Sequence, residues 1–417
     1  MNRPLAGARI LLVGNFPPPH GGIAVHVEAL HRRLKAHDAW VRVLALGARE
    51  ARPEVSPVGS AGELAAQLAL HAALGFLVHA QISGHNPRSW AIAAAVGALR
   101  RPFSPAPLLT VHSGLAPNFL ALGASQRRLV CVASRGFGRI LAVNPAIERA
   151  LLDAGLSASR VEVAPAGTGP LQPGEPPAGL ARARARFEPL LACAVAPSPI
   201  YGTRPLLGAL PVLASRMPRV GLALFGPGRR EAIEALAGVY GVGERVELLG
   251  ELDHAQALAT IAACDVFVRP SLADGDALSV REALGLGKPV VATAVGFRPA
   301  GTRLVRSGDP VELAEAVEGA WREGAGRPED PSNPSTPSDS AHPERSSRRA
   351  SAGSGVEGHL DSGLAGSAYA RGSRLCSRRT DEGDFPTPLE GSGDELAPVL
   401  RAYLELLGRG GLAAGES

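Results

Sequence analysis

The chain alternates short β-rich apolar runs with amphipathic stretches. The run from Arg9 to Asn15 ends at NFPPPHGG, and the following IAVHVEALHRRLKAH carries apolar residues at Ile23, Val27, Leu30 and Leu34, the spacing of an amphipathic helix. WVRVLALG then predicts the next strand and completes a β-α-β start. FLVHAQISG, LLTVHSG, ILAVNP and VEVAPAG are further apolar runs ending in Gly, Pro or polar residues, separated by Ala- and Leu-rich helical stretches. This is the alternation of a parallel, doubly wound sheet.

A Pro-rich stretch, TGPLQPGEPPAG, interrupts the pattern from Thr168 to Gly179 and is read as an interdomain linker. The alternation restarts with LLACAVAP, VGLALFGPG, RVELLGEL, DVFVRPS and KPVVATAV, each followed by a helical segment. The expected architecture is α/β, with two Rossmann-like doubly wound domains facing a central cleft, at 1–180 and 181–325. From 326 to 393 the periodicity is lost in a Pro-, Ser-, Gly- and Arg-dominated stretch, expected to be a disordered insert because it has too little apolar surface to offset its ordering entropy. In the remaining 394–417, ELAPVLRAYLELLG predicts a terminal helix through Leu396, Leu400, Leu404 and Leu407.

Composition narrows the function classes. A 45% hydrophobic and 20% charged chain fits a soluble globular protein, and the 50 Gly and 36 Pro fit a loop-rich segment. Net charge is +4, and no long basic stripe with interleaved aromatics occurs, so no nucleic-acid partner is expected. Lys35 and Lys288 are the only lysines; the Arg bias reads as genome composition rather than chemistry. Cys131, Cys193, Cys264 and Cys376 are scattered singly, without ligand spacing, and read as buried thiols in a reducing compartment. The chain opens directly on a strand without a leader pattern, and the apolar stretch Leu64 to Ile82 is interrupted by Gln67, His71, His79 and Gln81, so a cytoplasmic location is expected.

The chemistry concentrates in SLADGDALSVREALGLGKPVVAT, where Asp274 and Glu282 stand eight positions apart at a strand's carboxyl end. Asp276 is placed to cap the following helix, whose N-terminus favours a phosphate. A carboxylate pair facing a cleft suits sugar hydroxyls, which donate to ionised acceptors. The structural alternative is that the two aspartates only cap and Glu282 is exposed. Gly21 and Gly22 let backbone approach a ligand at a helix start, against an ordinary glycine turn as the alternative. His112 closes a predicted strand at the cleft, a position where a histidine is often structural; His85 is an acceptor-side candidate.

PSLADGDALSVREALGLGKPVVAT resembles the E-x7-E segment of retaining glycosyltransferases with the GT-B fold, the group 1 or GT4 family. The resemblance puts Asp274 in the place of the first Glu, contacting the donor sugar, and makes Glu282 the second, contacting the ribose. It also directs the backbone amides of Gly275, Asp276, Ala277 and Leu278 at the donor diphosphate. FPPPHGGIAVHVEAL resembles the family's first-domain glycine loop, LALFGPG with RVELLGEL the strands before the donor-base site at Gly250, Glu251 and Leu252, and His112 the histidine beside the donor sugar. One departure stands out. The family pattern GRxxxxKG supplies two cations to the diphosphate, whereas VAPSPIYGTRPLL puts Ala196 and Tyr201 at those positions; Arg204 and Arg298 are cations outside the pattern.

The resemblance implies transfer of a sugar from a nucleotide sugar to a glycan or lipid-linked acceptor in bacterial polysaccharide biosynthesis, with retention. The nucleotide sugar is a substrate, and neither cofactor nor metal is implied. The alternatives are a catalytically inert GT-B-like binding or scaffold protein, motivated by the missing cations, and a GT-B nucleotide-sugar epimerase. SWAIAAAVGALRRPF suggests a weak peripheral contact with the inner membrane face through Trp90, Arg100 and Arg101, against the alternative of a sheet-covering helix.

Overall fold

The computed structural model of the chain describes residues 4–47, 50–99, 105–167, 169–324 and 396–408. The expected insert at 326–393 lies outside them, as do Thr168, Arg100, Arg101 and Cys376.

The first sheet contains β1 (Arg9–Gly14), β2 (Trp40–Leu46), β3 (Val55–Val58), β4 (Leu77–Ile82), β5 (Leu108–Val111), β6 (Arg139–Ala142) and β7 (Val161–Val163). All pair in parallel in the order β3-β2-β1-β4-β5-β6-β7, with Ile10 opposite Leu77 and Leu12 opposite His79. Its central strands are mostly apolar because helices cover both faces, with His79, Gln81 and Thr110 as buried polar exceptions in β4 and β5. Leu11 and Val13 point into one core layer, which also holds Trp90 and Phe137. Ile10 and Leu12 point into the other, which α1 (Gly22–Ala36) closes together with α13 (Ala397–Leu406) through Leu30, Val399 and Tyr403.

The second sheet contains β8 (Leu190–Ala194), β9 (Gly221–Phe225), β10 (Val246–Gly250), β11 (Val266–Arg269), β12 (Val290–Thr293) and β13 (Thr302–Val305), all parallel in the order β10-β9-β8-β11-β12-β13. The helices that matter for the site are α8 (Thr203–Arg216), α10 (His254–Ala263) and α11 (Leu278–Gly285) in this half, and α3 (Pro87–Gly97) and α6 (Pro145–Asp153) in the first. Strand order reverses between β1 and β4 and again between β8 and β11. Open α/β sheets form a crevice at such reversals, outside the carboxyl ends of the strands. The loops after β1, β4, β8 and β11 are therefore the ones that the topology aims at a ligand.

Three sequence expectations change. The edge strands β3 and β13 are absent from the apolar-run reading; β3 is VSPV, with a proline that an edge strand tolerates. Trp90 is fully buried and its Nε1 donates to Gly84 O at 2.9 Å, so α3 is a sheet-covering helix and its aromatic is not available to a bilayer. Cys193 and Cys264 are buried, and burial pushes both thiols up to about 12, but Cys131 is only half-buried. Among the described residues no helix is long and apolar enough to cross a membrane.

Candidate functional site

The carboxyl ends of the two sheets meet at the loop after β5 and the loop between β11 and α11. The approach is backbone against backbone: a Cβ on Gly114 would lie 1.7 Å from Asp274 O, and one on Gly275 would lie 2.0 Å from His112 O. Only glycine permits that contact. Asn144 ties the same place from the first sheet. Its Oδ1 caps α6 by accepting from Ile147 N at 2.9 Å, while its Nδ2 donates to Gly275 O at 2.8 Å. The Leu278 side chain is buried in the first domain's apolar cluster.

Asp274 lies in this junction within a cluster of cations. It accepts from Arg269 Nε at 2.9 Å, Ser271 Oγ at 3.0 Å and Arg298 Nη2 at 3.3 Å. Burial alone would raise its carboxyl pKa, but the two guanidinium groups and the hydrogen bonds outweigh it, and the net shift is downward. Asp274 is an ion-paired carboxylate rather than a free loop acid.

Asp276 does not cap α11. The N-cap is Ala277, which offers no side-chain bond, and both Asp276 oxygens accept from Arg281 Nε at 2.9 and 3.0 Å. Asp276 Oδ2 also accepts from Ala166 N, a second link between the halves, at 3.1 Å. Burial raises the Asp276 carboxyl pKa, and Arg281 offsets only part of the effect.

Glu282 is buried, not exposed, and accepts from His254 Nε2 at 2.8 Å. His254, which the sequence shows only as the polar residue after GELD, opens α10 just after the capping Asp253. Glu251 crosses to the glycine loop, where its Oε1 accepts from His20 N at 3.1 Å. A cavity of about 580 Å³ opens beside it, lined by Phe16, Pro17, Pro19, Arg52 and Glu251 among others. Gly250 has a positive φ of 74° that turns the chain out of β10, and Leu252 is buried behind it.

His112 belongs to a buried polar chain that the sequence did not reveal. Its Nε2 donates to Gln81 Oε1 at 2.6 Å, Gln81 Nε2 donates to His79 Nε2 at 3.0 Å, and His79 Nδ1 donates to the Tyr403 hydroxyl at 2.6 Å. Thr110 Oγ1 lies 2.7 Å from His79 Nε2. The His26 ring packs edge-on to His112 with centroids 5.2 Å apart, and its Nδ1 meets the backbone of Gly167. Burial lowers all three imidazole pKa values, that of His26 to about 4 and those of His79 and His112 well below the usual range. The one recognisable sequence signal was polar residues at His79, Gln81 and Thr110 inside otherwise apolar strands.

The remaining candidates, Arg298 apart, are peripheral to these contacts. Gly21 and Gly22 precede and open α1 with open space where a Cβ would stand, leaving room for a ligand. His85 is exposed between β4 and α3. Arg204 is exposed on the first turn of α8, whereas Arg298 is inside the Asp274 cluster. Among the described residues no group of His, Cys, Asp and Glu is arranged to hold a metal ion.

Residues 190–323 match the family described as Glycosyl transferases group 1. The chain is 29% identical over 191 residues to D-inositol 3-phosphate glycosyltransferase of Streptomyces griseus, covering 40% of each chain. It is 32% identical over 119 residues to the GDP-mannose-dependent monoacylated alpha-(1-6)-phosphatidylinositol monomannoside mannosyltransferase of Corynebacterium glutamicum, covering 27% of this chain and 31% of the relative. The matched stretches thus span well under half of these relatives' own lengths. In fold, the chain is similar to Anabaena HepE solved with UDP, at TM-score 0.53 and 20% identity over 76% of this chain and 95% of that one. It is also similar to sucrose-phosphate synthase from Thermosynechococcus elongatus, at TM-score 0.58 and 22% identity over 76% and 90%. The two-sheet architecture is the GT-B fold.

Proposed function

We propose that this chain, whose residues 190–323 belong to the group 1 glycosyltransferase family, transfers a sugar with retention from a nucleotide-sugar donor to a hydroxyl of a glycan or lipid-linked acceptor. The observation that carries the reading is the apposition of Asp274 and Gly275 with His112 and Gly114, which sets the first-domain histidine beside the second-domain carboxylate loop at the switch point.

In this reading Glu282, held by His254, accepts from the ribose hydroxyls, and the residues from Gly250 to Leu252 border the base. The uncapped N-terminus of α11 faces the diphosphate, where its amides and dipole favour negative charge. Neutral His112 stands at the sugar, and the close glycine contact keeps water from the reacting carbon. The acceptor lies on the first-domain side, near the glycine loop and His85. The place of the reaction is cytoplasmic polysaccharide biosynthesis, and turnover is expected to survive a chelator because protein cations supply the charge.

UDP is bound in one structural neighbour and GDP-mannose is the donor named for one relative, so both nucleotide classes enter the test. A thermal-shift screen of UDP- and GDP-sugars is expected to raise the melting temperature with at least one donor, since a ligand that binds only the folded state stabilises it. Release of the matching nucleoside diphosphate in the presence of an acceptor then reports transfer. No stabilisation by any nucleotide sugar, and no diphosphate released, would sink the reading.

A further inference from the structure

We propose that Arg269, anchored beside Arg298, is the cationic seat for the donor diphosphate, replacing the two positions occupied here by Ala196 and Tyr201; this rests on the donor reading above. Arg269 ends β11 and Arg298 follows β12, and β11 borders the strand-order reversal where the topology places a ligand. The Arg269 guanidinium lies over the Tyr201 ring, 4.9 Å from its centroid. Tyr201 is the residue that stands where the family pattern has its second cation. The charge missing from the loop after β8 is therefore present at nearly the same place, delivered from the neighbouring strand.

Arg269 and Arg298 share one carboxylate, Asp274, and their side chains are only 10% and 3% exposed. Asp276, the nearest further acid, is taken by Arg281. The cluster thus carries one buried positive charge beyond its acids, and an uncompensated buried charge is costly unless an anion joins it.

Hydrogen bonding separates the roles of the two arginines. Each nitrogen of Arg298 already donates: Nε to Thr293 O, Nη1 to Phe297 O and Nη2 to Asp274. Arg269 uses only Nε, on Asp274, so among the described residues both of its Nη groups are left for an incoming anion. A guanidinium held over an aromatic ring and fixed through Nε keeps its two Nη groups for phosphate oxygens, which a planar fork of donors suits. The α11 N-terminus beside it, with Ala277 as N-cap, adds amide donors without a competing side chain.

The test is calorimetric titration of UDP, GDP and the corresponding nucleosides into the full-length protein. Arg269→Gln is expected to weaken nucleoside-diphosphate binding about tenfold or more while leaving nucleoside binding unchanged, since a charge-assisted hydrogen bond is lost. Tyr201→Lys in the Arg269→Gln background is expected to restore part of that affinity by returning a cation to the same spot. Arg269→Lys keeps the charge but loses the fork and is expected to fall between; it serves alone if Arg269→Gln does not fold. Equal diphosphate affinity in folded Arg269→Gln or Arg269→Lys overturns the seat, as does an equal loss for nucleoside and diphosphate. If the wild-type protein binds neither UDP nor GDP, the donor reading itself fails and takes the seat with it.

Discussion

His112 Nε2 donates a 2.6 Å hydrogen bond to Gln81 Oε1, joining the carboxyl end of β5 to β4 in the neighbouring register. An amide oxygen only accepts, so the contact keeps the proton on Nε2 and leaves Nδ1 as the bare acceptor.

Gln81→Glu places a carboxylate at that contact and favours the imidazolium, which has no bare nitrogen. The expected result is a protein that still folds but whose kcat falls at neutral pH and recovers toward alkaline pH as His112 deprotonates. Gln81→Leu leaves a buried N–H without a partner and should cost about 1–3 kcal/mol of stability. The pH profile of kcat for Gln81→Glu beside wild type is the deciding measurement; superimposable profiles would remove the tautomer role.

Glu282 and His254 act as a buried pair at 2.8 Å. Glu282→Gln keeps the shape but loses the charge, and is expected to weaken nucleotide-sugar affinity about tenfold with little change in melting temperature. His254→Ala removes a hydrogen bond to a buried carboxylate and should lower both stability, by roughly 1–3 kcal/mol, and donor affinity. Donor titration together with urea unfolding separates the two, and unchanged donor binding in both variants would remove Glu282 from the donor site.

Asn144 serves two functions that one substitution can separate. Aspartate caps a helix as well as asparagine does, so Asn144→Asp should keep α6, but it cannot donate to Gly275 O and sets an acceptor against an acceptor. Kcat is expected to fall severalfold while the far-ultraviolet circular dichroism stays unchanged. A variant with wild-type kcat would show that the bridge between the halves is dispensable.

His26 gives stability a definite pH dependence. Its pKa is lowered to about 4 in the fold by burial, from 6.5 in the unfolded chain, so between those values the unfolded state binds the extra proton and stability rises with pH. The contribution is complete above about 6.5 and is lost as pH falls toward 4, a difference of roughly 3 kcal/mol. Urea unfolding from pH 4.5 to 7.5 should show a steeper rise for wild type than for His26→Gln. Parallel curves would mean that His26 titrates normally in the fold.

The strands were legible where both faces are covered. Runs such as ILLV and VFV are apolar along their length because each residue faces one of two core layers, and the helices between them show their buried stripe. The edge strands β3 and β13 escaped because an edge has a neighbour on one side only and tolerates proline and polar residues, as in VSPV and TRLV. The placement of Asp274 in a loop and Glu282 on a helix followed from the strand-loop-helix pattern alone.

What the sequence by itself determined, then, is two parallel sheets, their switch-point loops and a carboxylate-bearing segment at one of them, because local periodicity reports burial. The tertiary structure decided what each of those groups touches. Nothing local pairs His79 with Tyr403 or His254 with Glu282, and nothing local turns Asp276 from a cap into a partner of Ala166. Nor could spacing show that Arg269 lies on Tyr201 while Asp274 holds it in place. Such contacts depend on which strands become neighbours, in what register and on which face each side chain emerges. Those are properties of the packed whole, and in a buried site the partner sets the charge, tautomer and orientation of each group.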